Sequence, residues 1–248
     1  MTRSRILDYA RARSAAARHA SRWRLATAVA LVLAASSALA AAGEPKSAEY
    51  AIRWNARDGG PATINDALGI LKSRATRVRQ FRNEYYDLPP AKSTPPGFSA
   101  ILRRHVEEGA KAELAWKLRG DRALAEWTCP LPDARQSKAE VDVTFVGADA
   151  TSRTISYSCT SEATDAAVSA LSARILGCPT TVFRRDAGKL KLEEWHLPGD
   201  VVVIEVSMTT ENSPATMEIF RTGIVTPLLA AGVVPLKESK TDLGSRCP

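Results

Sequence analysis

The chain has 248 residues, 45% of them hydrophobic, and a formal net charge of +7, a length that accommodates one large domain or two small ones. The charge is uneven: residues 1–40 hold seven arginines against Asp8 alone, a net +6, so the remainder carries only about +1. The basic balance therefore gives no ground for nucleic-acid binding, and the chain contains no Walker loop, G-x-S-x-G or dinucleotide fingerprint to support a P-loop, serine-hydrolase or Rossmann reading.

The arginine-rich opening is followed by an apolar run from Leu25 to Ala42 that ends in Ala38-Leu39-Ala40 and Ala40-Ala41-Ala42. Basic leader, apolar core and small-x-small exit together predict a signal peptide over residues 1–42 and a single domain over 43–248. An uncleaved anchor is the alternative, but the run is alanine-rich and only marginally long enough to span. The expected location is periplasmic or secreted, with no membrane attachment after cleavage. In that setting four cysteines, Cys129, Cys159, Cys178 and Cys247, suggest two disulfides. Sequence leaves three pairings open; Cys129–Cys159 with Cys178–Cys247 is favoured because Cys129 and Cys159 each close a predicted strand.

Ala48–Trp54 reads as a first strand, with Glu49, Ala51 and Arg53 on one face and Tyr50, Ile52 and Trp54 on the other. Thr63 and Asp66 then form a capping pair for a helix that buries Ile64, Leu68 and Leu71. Arg77–Tyr86 is a basic strand, and the proline-rich stretch from Leu88 to Gly97 a loop. Phe98–Val106 and Ala112–Arg119 pair as a hairpin across Glu107-Glu108-Gly109. A strand is expected at Leu124–Thr128 and a hairpin from 138–146 with 153–159. Ser161 opens a helix with Ala167, Val168, Leu171 and Ile175 on its inner side. Strands follow at Thr180–Arg184, Lys189–Trp195 and Val201–Met208, then a helical stretch from Ser213 to about Ala231 disturbed by Pro227. Roughly eight strands and three helices make an α+β domain.

In several strands the face opposite the apolar one carries both signs of charge. Glu113, Lys117 and Arg119 alternate with Leu114, Trp116 and Leu118; similar patterns occur at Glu140–Phe145 and Lys189–Glu193. One such strand is ordinarily a solvated sheet face. Several could instead face one another across a barrel and bind a highly charged ligand.

The order of motifs resembles the CYTH superfamily, the triphosphate tunnel enzymes. Glu49-Tyr50-Ala51-Ile52-Arg53 is similar to its E-x-E-x-K strand, with alanine for the second acid. Glu84–Pro89, Leu102-Arg103-Arg104-His105, Leu114–Lys117, Glu140-Val141-Asp142, Lys189–Glu194, Val203–Ser207 and Ser239-Lys240 follow in the family's order. The resemblance implies an antiparallel eight-stranded tunnel with flanking helices. It also implies Mg²⁺ or Mn²⁺ on acidic residues and a triphosphate or other small phosphorylated polyanion on basic ones.

The residues themselves supply a parallel argument. A triphosphate needs several cations held apart, and Arg53, Arg103, Lys117, Lys189, Lys191 and Lys240 are the candidates. A hard divalent cation needs oxygen ligands, and Glu49, Glu140, Asp142 and Glu205 are the candidates. Glu194 is the candidate water-positioning base. His105 and His196 are weaker acid–base candidates, each more readily structural. Two functions remain: a metal-dependent phosphohydrolase, or a degenerate tunnel that binds a polyanion or partner without catalysis. Ala51 and Ser207, where the family has acids, favour the second; Glu140 with Asp142 favours the first.

Overall fold

The computed structural model describes residues 43–87, 94–171 and 174–244. The leader, the proline-rich loop at 88–93 and Cys247 lie outside the described residues, and so does the proposed Cys178–Cys247 pairing.

Nine strands close into one barrel: β1 (Ser47–Asn55), β2 (Arg77–Asp87), β3 (Ser99–Glu107), β4 (Glu113–Gly120), β5 (Gln136–Phe145), β6 (Thr151–Glu162), β7 (Arg174–Ala187), β8 (Leu190–Leu197) and β9 (Val201–Glu211). The order around the wall is β1-β5-β6-β4-β3-β2-β7-β8-β9. All neighbours are antiparallel except β1 and β5, which run parallel with Glu49 opposite Asp142. Closure removes the exposed sheet edges that an open sheet would present.

The main core lies outside this wall. Ala48, Tyr50, Ile52 and Trp54 of β1 pack with Val141, Val143 and Phe145 of β5 and with Ile204 and Val206 of β9. Three helices cover them: α1 (Ile64–Ile70), α3 (Pro214–Phe220) and α4 (Thr226–Ala230). Thr63 Oγ1 accepts from the Asp66 amide at 3.2 Å and donates to Asp66 Oδ2 at 2.7 Å, so the expected cap holds α1. Pro227 sits in the first turn of α4, directly after a change of helical type. A π-helical turn at Arg221–Val225 joins α3 to α4 and keeps the helical path continuous.

Two expected elements take other forms. Leu124–Thr128 is not a strand. It belongs to an irregular segment on the outer face of β4 and β6, where Trp127 packs on Tyr157 with ring centroids 5.6 Å apart. The Leu124 amide donates to the Tyr157 hydroxyl at 2.6 Å, and the Cys129–Cys159 disulfide staples the segment to β6. The helix expected from Ser161 is shorter, α2 (Asp165–Ala170), capped by Thr164. Ile175 instead lies in β7, whose first residues pair with the end of β2 (Leu176 with Tyr85, Ile175 with Tyr86). Backbone pairing with a neighbouring strand overrode a helical spacing there.

Candidate functional site

Because strand side chains alternate, burying Tyr50, Ile52 and Trp54 beneath the helices turns Glu49, Ala51 and Arg53 inward. The same alternation turns Lys117 and Arg119 of β4, Glu140 and Asp142 of β5, Lys191 and Glu193 of β8 and Glu205 of β9 into one cavity of about 790 Å³. The charged faces do look at one another.

Two groups of charge occupy this cavity. In the first, Glu49, Glu140 and Asp142 bring one carboxylate oxygen each within 4.8 Å of the others. Opposite ligands of Mg²⁺ stand about 4.2 Å apart, so this all-oxygen trio suits a hard divalent cation after a small adjustment. Asp142 Oδ2 also accepts from Arg119 Nε at 3.0 Å and pairs with Lys117 Nζ at 3.4 Å, while Oδ1 takes the Ser156 hydroxyl at 3.0 Å. Lys138 pairs with the buried Glu140 at 2.8 Å. Burial would raise the pKa of Glu49, but Lys117, Lys240, Lys191 and Lys138 hold it well below the usual carboxylate range. Asp142 is likewise held low against its burial, by Lys117 and Arg119. Burial pulls the Lys117 pKa down, with Arg119 adding to it against Asp142 and Glu49.

The second group is a closed ion-pair network. Arg53 Nε lies 2.9 Å from Glu205 Oε2, and Lys240 Nζ bridges Glu205 Oε1 at 2.5 Å and Glu193 Oε2 at 2.6 Å. Lys240 opens the short helix α5 (Lys240–Gly244) and sits over the Trp195 ring, 5.1 Å from its centroid. Burial works against the Lys240 charge, but Glu193 and Glu205 outweigh it and hold its pKa above the ordinary lysine value. Phe81, Val182, Trp195 and Val203 form an apolar cluster beside this network, joined by Leu236 and Leu243 of the C-terminal segment.

The sequence candidates thus fall in three places. Glu49, Glu140 and Asp142 share one end of the charge pattern, while Glu205 is engaged with Arg53 and Lys240. Arg53, Arg103, Lys117, Lys191 and Lys240 all line the cavity. Lys191 donates to Thr209 at 3.2 Å, and Arg103 makes no ion pair among the described residues. Lys189 is outside the lining, exposed in the turn between β7 and β8 beside Gly188. Glu194 faces outward: Oε2 accepts from the Ile64 amide at 3.2 Å and Oε1 meets His196 Nε2 at 2.8 Å, so it tethers the start of α1. His105 packs on Phe81 and meets Asn83 Oδ1 through Nδ1 at 3.2 Å; burial, with Arg103 and Arg79 nearby, pushes its pKa down to about 4.

Arg119, Lys138, Arg184 and Glu193 also line the cavity, and none was a sequence candidate. A parity count finds three of them: Arg119 is two residues from Lys117, Lys138 two from Glu140, and Glu193 two from Lys191.

No family model matches the chain, and no curated protein matches it. Among solved structures, it is similar to a candidate adenylate cyclase of Vibrio parahaemolyticus at 14% identity and a TM-score of 0.45, covering 82% of this chain and 100% of that one. A candidate adenylyl cyclase of Hippeastrum with a dominant triphosphatase activity matches at 14% identity and 0.44, over 81% and 97%. The PH1819 protein of Pyrococcus horikoshii matches at 11% and 0.44, over 77% and 94%.

Proposed function

We propose that the cavity binds a triphosphate or polyphosphate together with Mg²⁺ or Mn²⁺ and hydrolyses it. One observation carries this reading: Asp142 belongs at once to the carboxylate trio and to Lys117 and Arg119. A metal and two cations would therefore meet the same phosphate oxygens. Glu49, Glu140 and Asp142 would hold the metal, which when bound neutralises phosphate oxygens and activates water toward the terminal phosphorus. Lys117, Arg119 and Arg103 would orient the chain by charge-assisted hydrogen bonds, and the barrel wall would limit bulk water. The second reading, binding without turnover, is favoured by Ala51 and Ser207 at inward positions and by the outward course of Glu194.

Lys117→Ala is expected to weaken tripolyphosphate binding by about 1.5–3 kcal/mol, the range for a hydrogen bond to a charged group. Isothermal titration checks this, and a change below about twofold in affinity would place Lys117 outside the ligand contact.

We further propose that the protein is exported to the periplasm or secreted. The leader pattern and the Cys129–Cys159 bridge support this, and no helix among the described residues is long and apolar enough to cross a membrane. N-terminal sequencing of exported material is expected to begin near Ala41 or Gly43; a full-length chain in the membrane fraction would refute cleavage.

A further inference from the structure

Strand β6 presents a hydroxyl at each of five successive inward positions: Ser152, Thr154, Ser156, Ser158 and Thr160. Ser156 is buried against Asp142, and the other four line the cavity. Alternate residues repeat about every 6.6 Å along a strand, so the row runs about 26 Å. Its neighbours carry the charge. Lys117 of β4 and Lys138 of β5 flank Ser158, Arg119 and Glu140 flank Ser156, and Asp142 lies beside Thr154.

A hydroxyl both donates and accepts without adding charge. A repeating row of them suits a repeating chain of phosphate oxygens and sets no single register upon it. A nucleobase asks for something else, a π-face to stack on or a set of edge partners. Among the described residues, no aromatic side chain lines the cavity, and nearby Trp195 is buried and covered by Lys240.

We infer that the ligand is a linear inorganic polyphosphate longer than three units, laid along β6 between the cations of β4 and the carboxylates of β5, with no recognition of a base. This rests on the phosphate reading of the cavity proposed above.

The test is titration calorimetry on the full chain with Mg²⁺, using tripolyphosphate, ATP and a linear polyphosphate long enough to span β6. The long chain is expected to bind at least about tenfold tighter than tripolyphosphate, and ATP no tighter than tripolyphosphate. A Ser152→Ala, Thr160→Val double variant, altered at both ends of the row, should lower long-chain affinity more than tripolyphosphate affinity. If ATP binds about tenfold tighter than tripolyphosphate, the base-blind inference is overturned while the phosphate site stands. The inference also fails if the long chain has no advantage, or if its advantage survives the double substitution and is therefore statistical. If none of the three binds, the proposed function falls with it.

Discussion

Glu205→Ala is expected to destabilise the fold by about 3–5 kcal/mol, the range for breaking a buried ion pair from one side. Glu205 is 1% exposed and Arg53 is 7% exposed, so neither charge recovers its hydration when the partner is lost. Alanine at 205 leaves Arg53 with the Glu238 carbonyl at 3.0 Å and Lys240 with Glu193 alone. The effect should spread to the C-terminal segment, because Lys240 anchors α5 and the Leu236 amide donates to the Arg53 carbonyl at 2.7 Å. Urea unfolding measures the loss, and Glu205→Gln, which keeps the shape and one acceptor, should lose less. A loss below about 1 kcal/mol would mean that water fills this part of the barrel and screens the pair.

The second large effect concerns chemistry. Glu140→Ala should reduce Mg²⁺- or Mn²⁺-dependent phosphate release at least about 100-fold, because one of three carboxylates able to hold the metal has gone. The same change frees Lys138, which pairs with Glu140, to meet the ligand. Metal-free affinity for tripolyphosphate should therefore stay level or rise. Phosphate release and calorimetry, each with metal and with chelator, separate the two proposed readings. A parent protein that binds but releases no phosphate favours the binding-only reading. Unchanged metal-dependent release in the Glu140 variant would remove the trio from the mechanism.

Much of the architecture was legible because local physics decides it. Period-two alternation marked Glu49–Trp54 and Glu113–Arg119 as two-faced strands, the Thr63 and Asp66 pair marked the start of α1, and Gly109 marked a hairpin. The motif order also brought nine charged residues of the cavity to notice, from Glu49 on β1 to Lys240 on α5.

What the sequence by itself determined was that these strands have one apolar and one charged face. It could not say which face looks inward, since a solvated sheet and a charged lumen have the same alternation. Closure through the parallel β1–β5 pair decided that, with the apolar faces buried beneath helices and the stapled segment outside. Register decided the rest. Glu193 and Glu194 are adjacent acids, yet one joins Lys240 inside and the other tethers α1 outside, because a strand reverses sides at each residue. Lys189 shares parity with Lys191, but the turn at Gly188, with φ of 62°, ends the ladder before it. Which carboxylates gather for a metal and which are spent on arginine and lysine follows from cross-strand distances, and only the folded barrel contains those.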